Sequence, residues 1–363
     1  MDCSEIIGVN QENRNMGSTT KIIIGARVPN RKRMAAGLQR GGVLMTIWFT
    51  AATMLAVPYA RADVVYDWGS GELGNGTTTN SSSPIAVSSL SSGVTAIAAG
   101  ALHSLAVQNG GVYAWGYNGD GQLGDGTTTL RSSPVAVIGL SSGVTSVAAG
   151  DNHSLAVRNG GVWAWGYNDV GQLGNGTTTN SSTPVAVSGL SSGVTAIAAG
   201  KFNGLAVQNG AALAWGYNGN GQLGNGTMNS SNTPIAVSGL SSGVTAIAAG
   251  KFNGLAVQNG QVWAWGFNND GNLGDGTKTD HLTPEQIDPT DLKNIIAVAA
   301  EYNSSYALSS DGSIWDWGYN ADGELGLGNT TSPYLTPRTC CPPAATPSPP
   351  LTPMLLATTP WQC

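Results

Sequence analysis

The sequence predicts an all-β fold, a β-propeller of four-stranded blades, and three observations carry that reading. A Trp-Gly pair recurs at Trp68, Trp115, Trp165, Trp215, Trp265 and Trp317, at steps of 47 to 52 residues. A glycine-rich stretch follows each pair, as in "AWGYNGDGQLGDGTTT" at 114–129 and "AWGYNDVGQLGNGTTT" at 164–179. Between these stretches lie short runs of Val, Ile, Ala and aromatic residues, which have the length of strands rather than helices. A fixed period of this size marks an array of like units, each unable to bury its apolar face alone.

The unit from Gly111 to Gly160 shows the strands in order. "VYAWG" (112–116) alternates and reads as one strand. The glycines at 118–126 form a loop, and "SPVAV" (133–137) is a second strand with Pro134 at its start, where a missing N–H does least harm. "VTSVAAG" (144–150) is a third strand, whose small residues allow close approach at a narrow centre. "HSLAV" (153–157) is a fourth, and the Asn-Gly that follows is a hairpin signal leading to the next Trp-Gly strand. Four short strands per unit describe a propeller blade, with the Trp covering the face between neighbours in a partly buried position. Five full units are present, and a sixth stops early. Residues 188–210 and 238–260 are the same string, so the array grew by duplication.

Composition bounds the partners. Only 10% of the 363 residues are charged, and there are 52 glycines. Eight of the fifteen Lys and Arg fall within 1–61, which leaves the repeat region 63–336 near −12. A nucleic-acid partner is disfavoured, because phosphate binding needs a basic face. The four cysteines lie outside the repeats, so neither a disulfide framework nor a thiolate metal site supports them.

The chain divides into a leader with secretory signal (1–62), a repeat domain (63–337) and a Pro-rich tail (338–363). Arg40 precedes "GGVLMTIWFTAATMLAV" (41–57), and Ala60 and Ala62 are the small residues that signal peptidase reads, so cleavage is expected between Ala62 and Asp63. Translation from Met34 would give a conventional basic start to that signal. Membrane attachment follows only if the signal stays uncleaved. Secretion, or display at the cell surface or in the periplasm, is the expected destination. In the tail, "RTCCPPAATPSPP" stands where "VAV" should follow Pro337, as a frameshift or truncation would produce. The tail is expected to be disordered.

The pattern "VWAWGYNxxGQLGxGTTT…PVAVxGL…VTxVAAGxxHSLAV" resembles the repeat of the regulator of chromosome condensation family, in its secreted bacterial form. The resemblance spans about 63–337 and implies the propeller fold. For function it implies either a protein-binding scaffold, guanine-nucleotide exchange on a small GTPase, or inhibition of an extracellular enzyme such as a β-lactamase. Family members usually close a ring of seven blades, and this chain is shorter. An incomplete ring is therefore expected, with open edges that favour self-association.

Candidate chemistry reduces to structure. Asp120 and Asp125 would suit a calcium loop, but their counterparts are Val170 and Asn175, then Asn220 and Asn225. Gly116, Gly121, Leu123, Gly124 and Gly126 persist instead, as backbone bends with one buried anchor require. No Lys follows the glycines, so they do not form a phosphate cradle. His103 and His153 share a repeat position that later holds Asn203, Asn253 and Asn303, which fits a hydrogen bond to a neighbouring loop rather than a catalytic base or metal. His281 stands alone. "SSDGSIW" (309–315) is similar to the Asp-box of sialidases but lacks one residue, and it falls at the hairpin turn. No cofactor and no catalytic group is expected. The loops that vary most, "TTTLRSS", "TMNSSN" and "TKTDHLT", are where an unknown protein partner would bind.

Overall fold

The computed structural model describes residues 9–10, 21–26, 64–69, 71–288 and 290–341. Among them there is no helix, and the strands form six antiparallel four-stranded sheets. Blade 1 comprises β1 (Val9–Asn10), β2 (Lys21–Ala26), β3 (Val64–Gly69) and β4 (Ser81–Ala86). Blade 2 comprises β5 (Val94–Ala99), β6 (His103–Gln108), β7 (Gly111–Gly116) and β8 (Arg131–Ala136). Blade 3 is β9 (Val144–Ala149), β10 (His153–Arg158), β11 (Gly161–Gly166) and β12 (Ser181–Ala186). Blade 4 is β13 (Val194–Ala199), β14 (Asn203–Gln208), β15 (Ala211–Gly216) and β16 (Ser231–Ala236). Blade 5 is β17 (Val244–Ala249), β18 (Asn253–Gln258), β19 (Gln261–Gly266) and β20 (His281–Ile287). Blade 6 is β21 (Ile295–Glu301), β22 (Ser304–Ser309), β23 (Ile314–Gly318) and β24 (Tyr334–Cys341).

Each sheet is a meander, and local chemistry sets its corners. The hairpin between the second and third strands turns on Asn109-Gly110, with φ of 52° and 79°, and the same pair recurs at 159, 209 and 259. Positive φ at both central residues is the type I′ geometry that matches strand twist. The last blade departs from this: Gly312 alone is left-handed, and its N–H bonds to the Ser309 carbonyl at 3.0 Å. Asp311-Gly312 is therefore not a simple stand-in for Asn-Gly, because Asp311 keeps a negative φ and the loop is longer. Pro134 also lies inside β8 rather than at its start. The register there skips from Ala114↔Val135 to Gly116↔Arg131, and Pro134 falls in the skipped stretch of an outer strand, where no ladder N–H is lost.

Two strands fall outside the expected boundaries. β24 pairs with β23 from Tyr334 to Cys341, so the sixth unit is a full sheet and residues 338–341 are strand rather than tail. An outer strand is held by backbone hydrogen bonds, and "PRTCC" can make them without the apolar alternation that a two-sided strand needs. At the other end, β2 pairs with β3 along its whole length, although "VVYDW" has no upstream repeat partner and 21–26 belong to the stretch read as leader. Residues 342–363, the signal segment and the Ala62–Asp63 junction lie outside the described residues.

The core lies between blades. Consecutive blades touch through their innermost strands, β5 on β9, β9 on β13, β13 on β17 and β17 on β21. Each core cluster joins one face of a blade to the Trp of the next. Leu155, Val157, Val162 and Leu173 of blade 3, for example, meet Ala206 and Trp215 of blade 4. Trp115, Trp165, Trp215, Trp265 and Trp317 are all 0% exposed, deeper than the partly buried positions expected of them. Among the described residues, such clusters join blades 1 to 6 in order and none joins blade 6 to blade 1. Among the described residues the ring of blades is not closed.

Candidate functional site

The Trp-Gly loops of blades 2 to 6 hold their shape through one buried Asn each. In blade 3, Asn168 Oδ1 accepts the Leu173 N–H at 2.9 Å, and Nδ2 donates to the carbonyls of Thr177 and Thr179 at 3.1 and 3.0 Å. Asn118, Asn218, Asn268 and Asn320 make the same bond to Leu123, Leu223, Leu273 and Leu325. The loop glycines supply the bends, with φ of 106° at Gly116, 82° at Gly121, 67° at Gly124 and 80° at Gly126. A Cβ on Gly124 would come within 2.8 Å of the Trp165 indole. Leu123 is 0% exposed and anchors the loop in the core between blades. Asn168→Ala removes three bonds, one of them to the buried Leu173 N–H, and is expected to cost about 2 kcal/mol. Urea denaturation measures that loss, and limited proteolysis should open the loop at 168–180 first.

The carboxylates that resembled calcium ligands are spent on this scaffold. Asp125 accepts from the backbone N–H of Thr127 at 3.0 Å and pairs with Arg131 at 2.7 Å. Burial raises its pKa, but the bonds from Thr127 and Arg131 outweigh that and hold it below the usual carboxylate range. Asp120 accepts from Asn152 of the next blade at 3.0 Å. Among the described residues, no group of three or more His, Cys, Asp or Glu is placed to hold a metal ion. His281, which looked isolated, repeats the role of Arg131, with Nε2 2.7 Å from Asp275 Oδ2. His103 Nε2 lies 2.9 Å from Ser154 Oγ in the next blade. His153 is fully buried, and burial lowers its pKa to about 4. Neither His103 nor His153 reaches solvent to act as a base on a ligand.

What the residues build together is a face. Strands one, two and three of a blade run up, down and up, so the turn after the first strand and the loop after the third share one end. Around the propeller axis the ends of β9, β13, β17 and β21 enclose a cavity of ≈ 130 Å³. Asp151, Lys201, Lys251 and Tyr302, at equivalent positions of blades 3 to 6, line its mouth together with Glu301. Lys201 Nζ is 3.3 Å from Asp151. Lys251 bonds to the Tyr302 hydroxyl, with Nζ 3.8 Å from that ring's centroid. Burial first, and then the neighbouring Lys201 charge, lower the Lys251 pKa.

An arc of aromatic rings on blades 3 to 5 adjoins the two lysines of this mouth. Tyr167, Phe202, Tyr217, Phe252 and Phe267 follow one another at centroid distances of 6.2, 6.5, 6.2 and 6.3 Å. All five are half-buried. Lys201 and Lys251 stand 5.1 and 5.3 Å from the rings of Phe202 and Phe252. Further from the axis on the same end are the tips of the variable loops, where Leu130 and Met228 are exposed. The sequence reading picked out the variable loops and missed the arc. Its signal lay in the duplicated string, whose "KFN" sets the same Lys-Phe pair on two adjacent blades.

Comparison with known proteins agrees with this architecture. Human WBSCR16 is 25% identical over 78% of this chain and 78% of its own, with a TM-score of 0.67. Prp20p of Saccharomyces cerevisiae is 25% identical over 77% of this chain and 75% of its own, with a TM-score of 0.65. Yeast RCC1 (Prp20) bound to Kap60 superposes with a TM-score of 0.68, covers 88% of this chain and 82% of its own, and at 23% identity supports the fold alone. The model of the RCC1-like domain matches residues 8–347, and the chain belongs to that family.

Proposed function

We propose that the protein is an exported, non-enzymatic binding scaffold whose protein partner docks on the axial face. The observation that carries this is the arc of aromatic rings beside Lys201 and Lys251. Half-buried rings offer large contact area at little entropic cost, and two cations sit among them on an otherwise acidic body. The chemistry fits a segment bearing carboxylates and apolar side chains. Binding proteins is also the business of a relative: Prp20p is known for its binding properties to Gsp1p and histones.

The test is affinity purification of partners from the exported fraction, first with the wild-type chain and then with Lys201→Ala/Lys251→Ala. The double variant should fold normally and bind at least about tenfold more weakly, near 1.4 kcal/mol. Undiminished binding would remove the axial face from the proposal. Export is tested by fractionation and by sequencing the N-terminus of the mature chain. A start at Asp63 would mean that β1 and β2 are absent from the mature protein.

The likeness to Prp20p favours one second reading, nucleotide exchange on a small GTPase. It requires a cytosolic, uncleaved chain. Faster release of labelled guanine nucleotide from a Ras-like GTPase would establish it.

A further inference from the structure

Duplication set two like charges side by side at the axis. "GKFNGLAVQNG" stands at both 200–210 and 250–260, so Lys201 and Lys251 occupy the same turn of adjacent blades. Their other neighbours differ. On the blade 3 side, Lys201 meets Asp151, with Nζ 3.3 Å from Oδ2. On the blade 6 side, Lys251 meets Tyr302, whose hydroxyl accepts one of the three ammonium N–H groups. Among the described residues, no carboxylate forms an ion pair with Lys251. Asp270 acts on it only through its field, and its Oδ2 accepts from Asn303 at 2.7 Å.

A half-buried ammonium in this position is under-compensated. The Tyr302 hydroxyl and the rings of Tyr302 and Phe252 offset part of its lost hydration, but none of them cancels its charge. Burial and the Lys201 charge both disfavour the protonated form, so a counter-charge placed between the lysines would relieve the pair. The space for one is the axial cavity of ≈ 130 Å³ that both lysines line. Ala149, Ala199 and Ala249, two residues before the rim positions, line it with methyl groups. A small apolar body therefore fits as well as a charge. Asp151 and Glu301 stand at the same mouth and repel a dianion, so a single negative charge suits the site best.

We propose that the axial cavity is a carboxylate pocket, which takes one carboxylate on a short apolar stem, with the charge against Lys251 and the stem against the alanine methyls. Two sources carry this chemistry: a free small acid, or a Glu side chain of a protein docked on this face. The second source rests on the axial-face reading, whereas the pocket itself does not.

Propionate, which reproduces the stem and carboxylate of a Glu side chain, is the probe. With lysine labelled at Cε, NMR should show Lys251 responding to a propionate titration that saturates in the millimolar range. The Lys251 pKa should rise toward the ordinary lysine value as the pocket fills. Lys251→Met should weaken propionate at least about tenfold. Far-UV circular dichroism checks its fold, and Lys251→Gln replaces it if it does not fold. Asp151→Asn leaves Lys201 unpaired and should tighten propionate. No response of Lys251 to propionate overturns the proposal and leaves capture of a partner by the aromatic arc untouched. Binding that survives Lys251→Met unchanged overturns it too, as does tighter binding of inorganic phosphate than of propionate. Propionate binding in a chain that captures no partner keeps the pocket and removes the axial-face reading. Competition assigns the source: a captured partner that propionate displaces holds its Glu side chain in the pocket, and one that stays bound leaves the free acid as the occupant.

Discussion

Trp215→Ala is expected to cost about 4 kcal/mol, the range for deleting a large aromatic from a sealed core. The indole is 0% exposed and packs with Leu155, Val157, Val162 and Leu173 of the preceding blade. Its N–H supplies the bond to the Gln172 carbonyl, so truncation also leaves a buried acceptor without its donor. The surroundings cannot collapse into the gap. Gly174 is held at a φ of 64° by the loop, and the adjoining strands are fixed by their ladders. In a repeat array the loss is concentrated at one interface, so blades 3 and 4 should part before the rest unfolds. Urea denaturation should show a lowered first transition, and hydrogen exchange should place it in β10, β11 and β13 to β15. Trp68→Ala, at a half-covered site, should cost far less in the isolated molecule. Equal losses for the two variants would contradict the view that stability resides between blades.

The same comparison shows what was legible in the sequence. Trp-Gly spacing gives the blades because a residue that seals an interface must recur wherever an interface recurs. Asn109-Gly110 and its copies give the hairpins because few residue pairs tolerate two successive positive φ values. The outer strand β24 and the inner strand β2 were not legible. β24 is an outer strand held by backbone hydrogen bonds, which leave little mark on side-chain pattern at an edge, whereas β2 lies between β1 and β3 and was missed because 21–26 fall in the stretch read as leader. Asn118 and its equivalents were hidden for another reason: Asn is common in turns, and nothing in composition separates a buried loop organiser from a solvated turn residue. Phe202 and Phe252 were visible only as part of a duplicated string. Their contact with Tyr167, Tyr217 and Phe267 needs the curvature of the array, which brings the end of one blade's third strand beside the next blade's first turn.

His153→Asn is expected to remove most of the acid sensitivity between pH 6.5 and about 4. His153 is fully buried, and burial lowers its pKa from 6.5 to about 4, with a bond involving the Asn203 backbone opposing the shift. The folded state therefore binds fewer protons than the unfolded chain across that interval. Its contribution is complete above pH 6.5 and falls away as pH drops toward 4. A shift of this size corresponds to roughly 3 kcal/mol at the acid end. Two carboxylates act in a separate window. Burial raises the pKa values of Asp125 and Asp275, but their hydrogen bonds outweigh it and leave both below 3.8, so stability from them is lost only at lower pH. Asn already fills the position at 203 and 253, so the blade accepts an uncharged amide there. Urea midpoints of the two proteins should agree at pH 7.5, apart from a constant offset, and diverge steadily below pH 6.5 with the wild type falling faster. Parallel curves down to pH 4 would mean that His153 takes up its proton in the folded state, and that the strand end at the axis opens to water more readily than its burial implies.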